Sequence, residues 1–166
     1  MASTDQVKEL RDRTGISVMQ CSNALKEADG DLDKALEILK AKGAEIVSKK
    51  GGRSLGSGTI ATYIHGGGTI GVIIELACET DFVARNEDFK ALAHDIAMHI
   101  AATNPDYLST KEAEADEKSL GVQPERILLE QPFIKDTDQT VNDLLTTAVQ
   151  KFGERIEIAR YERFNV

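Results

Sequence analysis

The sequence predicts an α+β protein: a unit of three short helices, a flexible linker, then a small antiparallel sheet of about three strands with helices packed on one face. Three observations predict this. Apolar residues in the first fifty positions recur at helical spacing. The stretch KKGGRSLGSG (49–58) then brings glycine, serine and charge together, which makes a solvated linker. Beyond it the period changes: GTIATYIH alternates, three glycines turn, and the apolar run TIGVIIELAC returns, as in a hairpin. The corresponding divisions are residues 1–50, a linker over 51–57 and a core over 58–166.

Each helix has its own signals. Ser3 with Gln6 forms a capping box, and Val7, Leu10 and Thr14 share the face that follows. Ser17 with Gln20 forms a second box. Its helix carries the stripe Val18, Cys21, Ala24, Leu25 and Ala28, with Met19 nearly opposite, and Gly30 ends it. Asp31 caps a third helix that buries Leu32, Ala35, Leu36 and Leu39 and stops at Gly43. After the hairpin, Phe89, Leu92, Ala93, Ile96, Ala97 and Ile100 make a helical stripe over 87–103, with Met98 off it and His99 on its flank. NPDYL breaks that helix. Residues 109–126 are acidic and poorly patterned, with room for one short exposed helix. ILLEQPF reads as a strand entry. Thr140 caps a helix in which Val141, Leu144, Leu145, Ala148 and Phe152 face inward, and RIEIARYERF is the last alternating strand.

The totals exclude several classes. A net charge of −8 argues against a general nucleic-acid binder, which needs a basic face. The acidity is uneven: residues 1–53 hold ten Lys/Arg against nine Asp/Glu, and the remainder ten against nineteen. Two cysteines far apart, Cys21 and Cys78, read as buried thiols in a reducing cytosol, with a disulfide between them as the alternative that nothing in the pattern requires. The start MASTDQVKEL has neither the basic nor the apolar region of a signal peptide, and no run is long enough to span a membrane, so the expected location is cytoplasmic.

No catalytic pattern emerges. The glycine-rich linker lacks a phosphate-loop lysine, and GSGTIA precedes a strand, without the helix N-terminus that would hold a pyrophosphate. His94 and His99 are five apart on one helix and face differently, and His65 sits at a turn. No metal, cofactor or covalent chemistry is expected, which leaves a binding protein. One junction stands out. CETDFVARN (78–86) needs only a cap between strand and helix, yet it sets Asp81 beside Phe82, with Arg85 close behind. Taken alone, Phe82 also fits a core side chain, Asp81 a helix cap and Arg85 the partner of a local acid.

TDFVARNEDF (80–89) resembles the signature of the elongation factor Ts family. VKELRDRTGISVMQCSNALKEADGDLDKAL (7–36) resembles that family's N-terminal module, a three-helix ubiquitin-associated-like fold. IAMHIAATNPDYL (96–108), LLEQPFIKD (128–136) and GERIEIARYERF (153–164) resemble its core and last strand. The resemblance covers most of the chain and implies a guanine-nucleotide exchange factor for elongation factor Tu. In that family the Asp-Phe pair enters the partner's nucleotide domain near its magnesium, so Asp81 and Phe82 would carry exchange here. Thr80, Val83, Val18, Met19, Ile70, Gly71 and His99 match secondary contact positions. Ile70 and Gly71 also fit an ordinary strand residue and a close-packing glycine.

The same resemblance implies binding to elongation factor Tu, both GDP-bound and nucleotide-free, with no direct role for nucleic acid or membrane. Longer members duplicate the core and carry a helical hairpin that this sequence lacks. Short members pair single cores, which implies a homodimer with sheet edges or hairpins meeting. Two other readings stand beside exchange: a module that captures a ubiquitin-like protein or peptide through the N-terminal helices, and a chaperone of elongation factor Tu with weak exchange.

Overall fold

The computed structural model describes residues 3–116 and 121–166. It is α+β, and its contacts group into two compact units, residues 1–53 with 145–155 and residues 54–144 with 156–166.

The first unit holds α1 (Thr4–Thr14), α2 (Val18–Glu27) and α3 (Leu32–Lys50). Leu10, Ile16, Cys21, Ala24, Leu25, Ala35 and Leu39 form its core. The Ser3–Gln6 capping box is present in full. The Ser17–Gln20 box is only half made. Ser17 accepts from the Gln20 amide, but the Gln20 side chain accepts instead from Gln150 Nε2 at 2.8 Å. Two other expectations are corrected. Val18 is not part of the buried stripe but exposed, and α3 does not stop at Gly43 but runs on to Lys50. Gly43 is buried inside the helix, and a Cβ there would lie 2.7 Å from Thr146 Cγ2. The glycine answers a close approach of α7 (Val141–Phe152), whose later half belongs to this unit.

The second unit is built on β1 (Ser57–His65), β2 (Ile70–Cys78) and β5 (Glu157–Asn165), an antiparallel sheet in the order β1-β2-β5. Val72, Ile74 and Leu76 alternate along β2 and are buried, while Ile73 between them is exposed. α5 (Glu87–Thr103) packs on β1 and β2 and buries Phe89, Ala93, Ile96, Ala97 and Ile100. Between them lies the single turn α4 (Asp81–Ala84). α6 (Thr110–Ala115) is the short helix the acidic segment had room for.

ILLEQPF departs from expectation. Ile127 makes an isolated parallel bridge with Tyr107, Leu128–Glu130 is a 3₁₀ turn, and Pro132–Phe133 (β3) pairs with Asp136–Thr140 (β4) in a separate two-stranded ladder. Pro132 has no N–H for a central ladder, and the segment is held instead by the Leu128 N–H donating to the Tyr107 carbonyl at 2.8 Å. Thr140 caps α7 as the sequence suggests: its hydroxyl accepts from the Asp143 amide, and Asp143 accepts from the Thr140 amide.

Candidate partner-binding site at the β2–α4 turn

β2 ends at Cys78, and the chain turns through Glu79 and Thr80 into α4. Four residues are far too few to nucleate a stable helix alone, so the turn needs outside supports. Val83 and Ala84 supply one, being buried at 4% and 7% exposure. A helix turns 100° per residue, so fixing those two inward directs their predecessors outward. Phe82 is 83% exposed, which removes the core reading for it. Asp81 is exposed as well, and its carboxylate pairs with the Arg85 guanidinium at 3.0 Å, i to i+4. Arg85 therefore does pair with a local acid, and that acid is Asp81. Asp81 does not cap the next helix. Asn86 does, its side chain accepting from the Asp88 amide at 2.9 Å.

The turn thus presents an aromatic ring and an ion pair to solvent on a short, well-anchored support. Isolated exposed apolar residues are ordinary, and what sets this one apart is its place beside a charge pair on a turn that needs only a cap.

The other residues named from the resemblance fall in different places. Thr80 is exposed beside Asp81, and Val83 is the buried anchor of the turn. Ile70 and Gly71 are half-buried at the other end of β2, where a Cβ on Gly71 would meet Ile64 Cδ1 at 3.1 Å. In the first unit Met19 is 71% and Val18 51% exposed, side by side at the start of α2.

His99 is fully buried and presents no surface to a partner. The Ile134 N–H donates to its Nδ1 at 3.3 Å, which leaves the ring proton on Nε2, 2.8 Å from Gln131 Oε1. Gln131 Nε2 donates in turn to the Glu125 carbonyl at 2.7 Å. Desolvation holds the imidazole below its ordinary pKa, with the Gln131 hydrogen bond opposing. His99 ties α5 to the β3–β4 segment, and its flank position on the wheel gave no sign of that.

His65, at the turn, is exposed but not isolated. Its Nδ1 lies 3.0 Å from the Tyr63 hydroxyl, and His94 meets Tyr63 edge-on at 5.7 Å. The i, i+2 spacing of Tyr63 and His65 on one strand is the signal that could have found the pair. Among the described residues, no group of three or more His, Cys, Asp or Glu could hold a metal ion, and no helix is long and apolar enough to cross a membrane.

Fold and turn together define an α+β protein that exposes an acid and an aromatic ring on a one-turn helix between strand and helix. The family follows from comparison with known proteins. A profile described as elongation factor TS matches residues 17–120. The elongation factor Ts of Desulforamulus reducens is 43% identical over 192 aligned positions, covering 99% of this chain and 88% of its own length. That of Carboxydothermus hydrogenoformans is 44% identical, covering 100% and 89%, and that of Moorella thermoacetica 42%, covering 100% and 96%. The chain belongs to the elongation factor Ts family, which places it in translation elongation. The alignments are longer than the chain's 166 residues, so these relatives hold residues that it lacks.

Proposed function

We propose that this protein is a guanine-nucleotide exchange factor that binds elongation factor Tu in its GDP-bound and nucleotide-free forms and speeds GDP release. Asp81 and Phe82 act together. A nucleoside diphosphate is held by phosphate contacts and by the Mg²⁺ that neutralises them. Phe82 enters between packed helices of the partner and displaces the segments that carry those ligands, and Asp81 disturbs the metal's shell of water and hydrogen bonds. No covalent bond is made or broken. The observation that carries this reading is the exposure of Phe82, held out by two buried neighbours.

The energy is of the right size. Each tenfold loss of GDP affinity needs about 1.4 kcal/mol of coupling. Burying one Phe provides roughly 1.5–3 kcal/mol. Linkage is reciprocal, so the factor must bind the empty partner tightly and leave when nucleotide returns. Val18 and Met19 add affinity through the first unit, Met19 with a side chain that adapts to its neighbour. Ile70 and Gly71 contribute at the hairpin, and Thr80 and Val83 shape the turn. His99 supports the core from inside rather than by contact. The protein works in the cytoplasm as a homodimer, a reading supported by four apolar side chains exposed on the open sheet face: Ile60, Ile64, Ile73 and Phe164.

The test is stopped-flow release of a fluorescent GDP analogue from elongation factor Tu of the same organism. Release should accelerate with factor concentration. Phe82→Ala should lose roughly ten- to a hundredfold of that acceleration while still binding. An unchanged rate in Phe82→Ala would remove the site assignment.

A further inference from the structure

We infer that Cys78 is a positioning residue for exchange, acting through the Thr80 carbonyl. The inference rests on the exchange reading above. Cys78 is the last residue of β2 and fully buried. Its thiol donates to the Thr80 carbonyl oxygen at 3.2 Å. That same oxygen accepts the Ala84 N–H, also at 3.2 Å, which is the hydrogen bond that closes α4. One carbonyl thus takes a donor from the strand and a donor from the helix, and the peptide preceding Asp81 is fixed between them. Thr80 is the N-cap of α4 but makes no side-chain cap bond, so its backbone does the orienting.

The residue type suits the task. A thiol in this place fills apolar space as a small hydrophobe and still offers one weak donor. Alanine would keep most of the packing and lose the donor. Serine would keep the donor. If the clamp sets the angle at which Asp81 and Phe82 leave the sheet, its loss should appear in the exchange step and spare the grip. Contacts elsewhere on the chain supply the grip and are untouched.

The experiment compares Cys78→Ala, Cys78→Ser and Phe82→Ala in full-length protein, by stopped-flow GDP release over a range of factor concentrations. Thermal melts fix an assay temperature below the onset of unfolding of every variant. Cys78→Ala should lower the maximal release rate roughly three- to tenfold, with the half-saturating concentration unchanged. Cys78→Ser should recover most of that rate even if its melting temperature is lower. Three results would overturn the inference: a wild-type maximal rate in Cys78→Ala, a loss confined to the half-saturating concentration, or equal losses in the serine and alanine variants. Full activity in Phe82→Ala would instead overturn the exchange site itself, so the two failures are distinguishable.

Discussion

Asp81 has a partner before it meets any other protein. Arg85 holds its carboxylate in the free chain, on a turn where both side chains are mostly solvated. An exposed pair of this kind is weak, so Arg85 can release Asp81 at little cost on docking. What the pair does in the free state is narrow the rotamers of Asp81 beside the projecting Phe82 ring. If that is all Arg85 does, Arg85→Ala should slow exchange by less than about fivefold, with the difference shrinking as salt is raised. In the background of Asp81→Ala it should do nothing further. GDP-release rates for the two single variants and the double variant decide this. Losses that add would give Arg85 a contact of its own on the partner.

Elements show how far sequence patterns reach. The hairpin was legible from an alternating run, a glycine turn and an apolar return, and the helix over 87–103 from its stripe at helical spacing. Strand-like ILLEQPF was not, because a short apolar run does not distinguish a strand from a 3₁₀ turn, and Pro132 tipped it. Phe82 was legible as an oddity, but its exposure depends on Val83 and Ala84 being buried, a fact of tertiary packing. The burial of His99 was not legible, because the wheel placed it on the flank of its stripe and one helix cannot show that Gln131 and Ile134 cover that flank. Gly43 was read as a stop because glycine is a poor helix former, yet here it makes room for α7. Gly43→Ala should therefore cost stability in spite of better helix propensity, by about 1 kcal/mol or more from overpacking against Thr146 Cγ2. Thr146→Ser removes that methyl and should restore the double variant. Chemical denaturation of the four proteins measures the coupling, and independent effects would show that the contact is not what fixes the glycine.

At the scale of the whole molecule, one face of the sheet is left open. Opposite residues in an antiparallel ladder share a face, so the register aligns Ile64, Gly71 and Phe164 in one row. Thr62, Ile73 and Glu162 form the next, and Ile60, Glu75 and Arg160 a third, with Glu75 and Arg160 ion-paired at 2.7 Å. Apolar groups thus gather toward the hairpin end and charges toward the other, so two copies overlapping at the hairpin end would form an apolar centre with a polar rim. A second copy related by a two-fold axis could set apolar rows against each other and keep the charges at the edge. A stable dimer needs roughly 800 Å² per partner, so these four apolar side chains would be the centre of a larger contact. Ile64→Glu with Ile73→Glu puts four carboxylates into such an interface and removes four apolar anchors. The expected result in sedimentation equilibrium is a concentration-dependent dimer for the wild type. In the double variant, association should weaken by at least roughly a thousandfold with the melting transition retained, because both positions are solvated in the single chain. A wild type that sediments as a monomer at every concentration used in the exchange assay would show that the open face is not a self-association surface. Equal dimerisation in both proteins would move the interface to the sheet edges.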